Sequence, residues 1–238
     1  MKNLVSKSIN VLFAFLVVLI YSGTVFSQTQ EWTTVNSTNP PSPRWGHSLT
    51  TLPDGKVLLY GGENSSMDMY NDLYSYDNGQ WGPVTPVNNP PSPRKGHSTW
   101  YINGKKYVHG GRGTNQAMGD LWTYTPSTKQ WQEVQTVNPP SARSNHKANY
   151  YPAGNYTIIS GGSTQTGFSN EIWKFDHTNN TFSLLSNAPG PIAYHNAEIV
   201  DDKLYILFLD YVYILNLLNL TWTTNQQGPP VKFSTTAV

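Results

Sequence analysis

The sequence predicts an all-β chain of about four four-stranded sheets set radially, each repeat of about 50 residues forming one blade. Three observations lead there. The 238 residues include 19 Gly, 17 Pro, 8 Trp, 15 Tyr and 8 Phe against only 12% charged side chains, a composition that suits short strands and many turns better than helices. The segment Pro-Pro-Ser-Pro-Arg-Trp-Gly-His-Ser at 40–48 returns as Pro-Pro-Ser-Pro-Arg-Lys-Gly-His-Ser at 90–98 and as Pro-Pro-Ser-Ala-Arg-Ser-Asn-His at 139–146, with a worn copy ending at His195. Runs such as Val57-Leu58-Leu59-Tyr60 are apolar on successive residues, so both faces of the sheet need cover.

The elements follow in order within each repeat. A first strand begins after His47, His97, His146 and His195, which stand 50, 49 and 49 residues apart. A second strand, Lys56 to Tyr60, Lys106 to His109 and Tyr156 to Ser160, ends at Gly61-Gly62, Gly110-Gly111 and Gly161-Gly162. Paired glycines there allow positive φ and close approach of a neighbouring sheet. An acidic residue, Asp72, Asp120 or Glu171, then introduces a short aromatic third strand. Each unit finishes with an aromatic residue in its last strand, Trp81, Trp131, Phe182 or Trp222, whose apolar area only an adjacent copy can cover.

These spacings set repeats at about 40–89, 90–138, 139–188 and 189–228, with a partial fifth at 229–238. The fourth copy lacks the glycine pair, and its loop between second and third strands is nearly deleted. Upstream, Trp32 lies 49 residues before Trp81 and reads as the last strand of a repeat whose remainder is not upstream. The expectation is an incomplete or truncated ring: a bare open arc would expose two apolar sheet faces, which a monomer rarely leaves uncovered.

Residues 1–27 stand apart. Lys2 and Lys7 precede the apolar run Val11 to Ile20, with Gly23 and Ser27 beyond it, the layout of a secretory signal peptide. The run is short for a membrane span, which takes about 20 residues, so cleavage near Ser27 is preferred to an uncleaved anchor. The mature domain is then 28–238, secreted and extracellular, or periplasmic in a bacterial source. Asn36, Asn64, Asn155, Asn179 and Asn219 each head an Asn-x-Ser/Thr triplet and are candidate glycosylation sites.

Composition also excludes chemistry. The formal net charge of +1 offers no field for nucleic acid or an anionic membrane. With no cysteine, disulfides, thiolate nucleophiles, iron–sulfur clusters and thiolate-bound zinc are all ruled out. No Gly-rich phosphate loop, nucleophile elbow or paired-histidine helix is present. The four spaced histidines should spread around an axis rather than converge at metal-bond distance, so no metal site or cofactor is expected.

Through its Pro-Pro-Ser-x-Arg lead-in, Gly-Gly column, acidic-aromatic strand and final Trp, the chain from 32 to 222 resembles the kelch-repeat family of β-propellers, including the kelch-type propeller of galactose oxidase. The resemblance implies a propeller fold and leaves function open between binding and several enzymes. A copper-radical oxidase of that kind needs a cysteine joined to a tyrosine, which this chain cannot supply. The iron-site pattern Glu-x-x-x-Asp-x-x-x-His of kelch proteins acting on glucosinolate products does not occur in 28–238. A sialic-acid mutarotase-like pocket would draw on Arg44, Arg94, Arg143 and Glu198.

Arg44, Arg94 and Arg143 hold equivalent places just before the first strand of their blades. Two readings stay open: a ring of guanidinium groups at the channel mouth binding carboxylate or acidic-peptide ligands, or three side chains each tying down a turn of the fold. The expected function is a secreted, noncatalytic module presenting loops 63–71, 112–119 and 163–170 to a protein or glycan ligand, acidic ligands included. The alternative is a carbohydrate-active enzyme, mutarotase-like or the propeller portion of a longer oxidase.

Overall fold

The computed structural model describes residues 37–225, all within one compact unit. The predicted signal peptide, the strand around Trp32, the Asn36 site and the partial fifth repeat lie outside the described residues.

Four antiparallel four-stranded meanders follow one another. Blade 1 comprises β1 (Ser48–Thr51), β2 (Val57–Glu63), β3 (Met69–Asp77) and β4 (Gln80–Val84). Blade 2 comprises β5 (Ser98–Ile102), β6 (Lys105–Arg112), β7 (Ala117–Thr125) and β8 (Gln130–Glu133). In blade 3, β9 (Lys147–Tyr151), β10 (Tyr156–Ser160), β13 (Glu171–Asp176) and β14 (Thr181–Asn187) form the sheet, while β11 (Ser163–Thr164) and β12 (Gly167–Phe168) make a small hairpin out of the predicted loop 163–170. Blade 4 comprises β15 (Asn196–Val200), β16 (Lys203–Phe208), β17 (Tyr211–Asn216) and β18 (Trp222–Asn225). The only helical turn among the described residues is the 3-10 turn Pro152–Gly154.

One detail departs from the sequence reading. The glycine pairs of blades 1 and 2 do not end the second strand; β2 and β6 run through them, with a register shift at Tyr60/Gly62 and at His109/Gly111. Positive φ at both glycines of each pair makes that bulge, a conformation that costs a residue with a Cβ about 1–2 kcal/mol.

The blades form a propeller arc whose first strands lie side by side, β1 by β5, β5 by β9 and β9 by β15. The core falls into three clusters, one at each seam. Leu58, Tyr60 and Leu73 of blade 1 meet Val108, Tyr124 and Trp131 of blade 2. Trp100, Ile102 and Leu121 of blade 2 meet Ile159, Phe175 and Phe182 of blade 3. Tyr151, Ile158 and Ile172 of blade 3 meet Leu204, Ile206 and Leu215 of blade 4. Each sheet interior to the arc is thus buried on both faces, as the unbroken apolar runs require. Trp131 and Phe182 fill the role foreseen for the last-strand aromatics: Trp131 packs on Tyr60 across its seam and Phe182 on His109 across the next.

Candidate functional site

The lead-in segments before the first strands gather at one end of the blades, and their backbones hold the arc together. Gly46, Gly96, Asn145 and Tyr194 occupy equivalent places, all at positive φ. Each amide reaches the preceding carbonyl: Gly96 N–H to Gly46 at 2.8 Å, Asn145 N–H to Gly96 at 2.6 Å, Tyr194 N–H to Asn145 at 2.9 Å. This ladder runs blade to blade and forms the hub.

The residue two positions earlier is clamped by the blade before it. Arg94 donates its amide to Tyr70 O at 3.1 Å and accepts from Gly62 N–H at 2.9 Å. Arg143 repeats this with Met118 and Gly111, and Ile192 with Ser169 and Gly162. A Cβ on Gly110 would stand 2.6 Å from Arg143 O, so the first glycine of the pair is what lets the clamp close.

The side chains of Arg44, Arg94 and Arg143 turn inward into their own blades and are at most 3% exposed. Arg94 donates to Ser92 O, Gly110 O at 2.9 Å, Ser92 Oγ and both carboxylate oxygens of Asp120 at 2.7 and 2.8 Å, which uses all five of its N–H groups. Arg44 makes the same set with Ser42, Gly61 O and Asp72, and lies 4.1 Å over the Tyr70 ring. Arg143 makes four of the five, to Ser141 O, Ser141 Oγ, Gly161 O and one carboxylate oxygen of Glu171. Trp122 and Trp173 donate their indole N–H to the same carboxylates. Burial alone would raise the Asp120 and Glu171 carboxyls, but the arginine and indole donors outweigh it and both sit below the ordinary carboxylate range. These contacts describe staples within the fold, the second of the two readings left open by the sequence.

The histidine column also faces inward. His97 Nε2 meets Ser48 Oγ at 2.8 Å, His146 Nε2 meets His109 Nδ1 at 3.0 Å, and His195 Nε2 meets Ser160 Oγ at 2.8 Å, each crossing a seam. Burial holds all of these rings neutral, with His109 and His195 lowered to about 3. Among the described residues no three His, Asp or Glu side chains converge as a metal cluster.

What the hub face presents outward is a different set. Trp45 is half exposed, Lys95 stacks 3.8 Å over its ring and pairs with the buried Glu63, and Arg112 is exposed beside Lys95 on the paired strand. On the far side of the hub Phe168 and Tyr194 are exposed with ring centroids 6.1 Å apart. The sequence reading named the loops carrying Arg112 and Phe168 but missed Trp45, Lys95 and Tyr194. The available signal was variation: Trp45, Lys95, Ser144 and Ala193 succeed one another in a column that follows Arg in three of the four repeats, and Tyr194 closes the next column, which reads Gly, Gly, Asn and Tyr.

Of the glycosylation candidates, Asn155, Asn179 and Asn219 lie exposed at turns, while the Asn64 side chain is engaged in its own loop with Ser66, Asp68 and Tyr70. No helix among the described residues is long and apolar enough to cross a membrane.

A family model described as the KLHDC2/KLHL20/DRC7 Kelch-repeats domain matches residues 20–208. No curated protein matches the chain.

Proposed function

The chain belongs to the kelch-repeat family, and we propose from its hub that it is a noncatalytic recognition module gripping an extended, acidic segment of a partner protein. One observation carries this reading: the hub end of the blades concentrates exposed Trp45, Phe168 and Tyr194 together with the exposed cation Arg112. Aromatic rings and arginine are the side chains that dominate protein interfaces, because they bury large area at low entropic cost and offer directed donors. The backbone ladder beneath them keeps the platform rigid, so little conformational freedom is lost on binding. Arg44, Arg94 and Arg143, which a mutarotase-like pocket would need, spend their donors inside the blades.

The leader-like residues 1–27 support secretion, and the exposed turns at Asn155, Asn179 and Asn219 suit glycan attachment in a source that glycosylates secreted proteins.

A displayed random-peptide library tests the reading. Peptides enriched by the chain should carry Asp or Glu near an aromatic or aliphatic residue. Arg112→Glu and Trp45→Ala should each weaken them by about tenfold or more with melting temperature unchanged. Peptides that bind these variants as well as the parent would sink the proposal. Capture on a glycan array lost in the same two variants would make the face a glycan reader instead.

A further inference from the structure

At the end of the blades opposite the hub, the seam between blades 1 and 2 opens into a cleft of about 590 Å³, within the range of small-ligand sites. Both blades wall it: Leu52 and Leu58 of blade 1 stand across from Tyr101 and Tyr124 of blade 2. The connection between the blades borders it at Val84 and is tied to blade 2 by the Val87 amide, which donates to Lys129 O at 2.9 Å.

The next seam shows what fills this space. There the His177 ring stands among Trp100 and Tyr107 of blade 2 and Tyr150 and Phe175 of blade 3, with ring centroids 6.2, 5.2, 5.9 and 4.9 Å away. Its Nε2 lies 2.9 Å from Thr157 Oγ1. The repeat maps these four walls onto Thr50, Leu58, Tyr101 and Tyr124, and the histidine onto Pro126. Strand register agrees: Thr50 pairs with Leu58 as Trp100 does with Tyr107, and Lys106 lies between Tyr101 and Tyr124 as Thr157 lies between Tyr150 and Phe175. In the first seam, therefore, two rings of the cage remain, while the other two walls shrink to Thr and Leu and the plug to Pro. The corresponding cleft of the next seam, bordered by Tyr107, Val134 and Asn180, is only about 340 Å³. Its filling comes from the two facing blades themselves, so completing such a seam requires no third segment of chain.

The rim adds a charge. Lys56 is shared between Asp54 at 3.4 Å and Asp77 at 3.7 Å, whereas no ion pair among the described residues includes the exposed Lys129. Lys129 holds φ 54 just before its last strand, where the neighbouring blades place Gly79 and Asn180, residue types that take this conformation more readily. An amine kept at a strained position on the lip of a cleft is the pattern of a residue retained for contact.

We propose that this cleft binds a small planar aromatic acid, its ring packed against Tyr101 and Tyr124 where the next seam holds His177, and its carboxylate at Lys129. The site is at the other end of the blades from the hub and does not rest on the peptide reading.

Isothermal titration of the full chain with naphthoate is the test. Saturable binding is expected, with Kd on the order of 1 mM or tighter for a ligand of that size. The neutral analogue naphthalenemethanol should bind about tenfold more weakly, and the aliphatic cyclohexanecarboxylate weaker still. Lys129→Asn, which imports the residue of the next blade, should bring naphthoate down to the level of the neutral analogue and leave that analogue unchanged. Pro126→His, which imports the plug, should weaken both by about tenfold or more. Naphthoate should raise the melting temperature of the parent but not of Pro126→His. Lys129→Asn replaces an exposed side chain and decides the question by itself if Pro126→His does not fold. The hub variants Trp45→Ala and Arg112→Glu should bind naphthoate as the parent does. Absence of saturable binding, equal binding of the aliphatic acid, or loss of binding in the hub variants rather than in Lys129→Asn would overturn the proposal.

Discussion

The seam between blades 1 and 2 and the seam between blades 3 and 4 rest on the same backbone clamp yet carry opposite side-chain chemistry. In the first, Arg94 sits at the clamp and Lys106 is wholly buried, its ammonium 2.6 Å from Thr50 Oγ1 with no carboxylate beside it. In the last, Ile192 takes the place of the arginine and Leu204 that of the lysine, and both are fully buried among Ile158, Ile172 and Ile206. Geometry therefore lives in the main chain, in the glycine pair and the lead-in carbonyl, while polar staples and apolar packing are interchangeable fillings. That explains how the fourth repeat lost its arginine without losing its place in the arc, since the glycine pair beside its lead-in, Gly161-Gly162, belongs to blade 3.

Replacing the clamp residue in each seam separates the two fillings most strongly. Arg94→Ala leaves Gly110 O without its side-chain donor and Asp120 with only the Trp122 indole, and should cost about 3 kcal/mol, the scale for breaking a buried pair. Ile192→Ala empties a fully buried aliphatic site and should cost about 2–3 kcal/mol. Their pH profiles should differ. The folded Asp120 carboxyl is held below its usual value, so the stability it contributes is present above about pH 4 and is lost as pH falls through the lower folded value. The Arg94→Ala deficit should accordingly shrink in acid while the Ile192→Ala deficit stays level, as urea titrations across that range would reveal. Equal deficits at every pH would mean that Arg94 acts by packing alone.

The seams were unequally legible in the sequence. The repeat, the four strands per blade, the buried aromatics and the need for close approach at Gly-Gly could be read because each leaves a residue type at fixed spacing. The arginine's partner was legible in principle, since Arg44, Arg94 and Arg143 accompany Asp72, Asp120 and Glu171, while Ile192 stands alone. The hub ladder left no such trace. It is made of main-chain groups, and the column it runs through holds Gly, Gly, Asn and Tyr, which share only a tolerance of positive φ. Lys106 was hidden for another reason: a lysine in an otherwise apolar strand looks like an exposed edge until the neighbouring sheet is in place.

Lys106 gives the next largest contrast. Burial lowers its ammonium to about 7, against about 10.4 for a free lysine, so between those values the unfolded chain holds the extra proton and stability should rise with pH. Tyr60, pushed upward by burial, reverses the trend once unfolded tyrosines ionise near pH 10. Lys106→Leu, which imports the residue of the last seam, should gain about 1 kcal/mol at pH 7 and flatten the rise between pH 7 and 9.5 in thermal melts. A rise that persists in the variant would assign it to other groups.

The smallest effect concerns the ladder itself, which both seams share. Tyr194 holds φ 57 where Gly46 and Gly96 hold similar values, so blade 4 bears a strain that blades 1 and 2 avoid. Tyr194→Gly should relieve it, and after the greater chain entropy of glycine is set against that relief the net gain is about 0.5 kcal/mol. Gly96→Ala at the same register should destabilise, because its Cβ would press on the Asn145 side chain as well as the backbone. The tyrosine costs stability where a glycine would serve and sits exposed on the hub beside Phe168, which is the pattern expected of a residue kept for contact rather than for folding. Stabilisation together with weaker peptide capture in Tyr194→Gly would support that division, and loss of stability would mean the ring packs for the fold's sake.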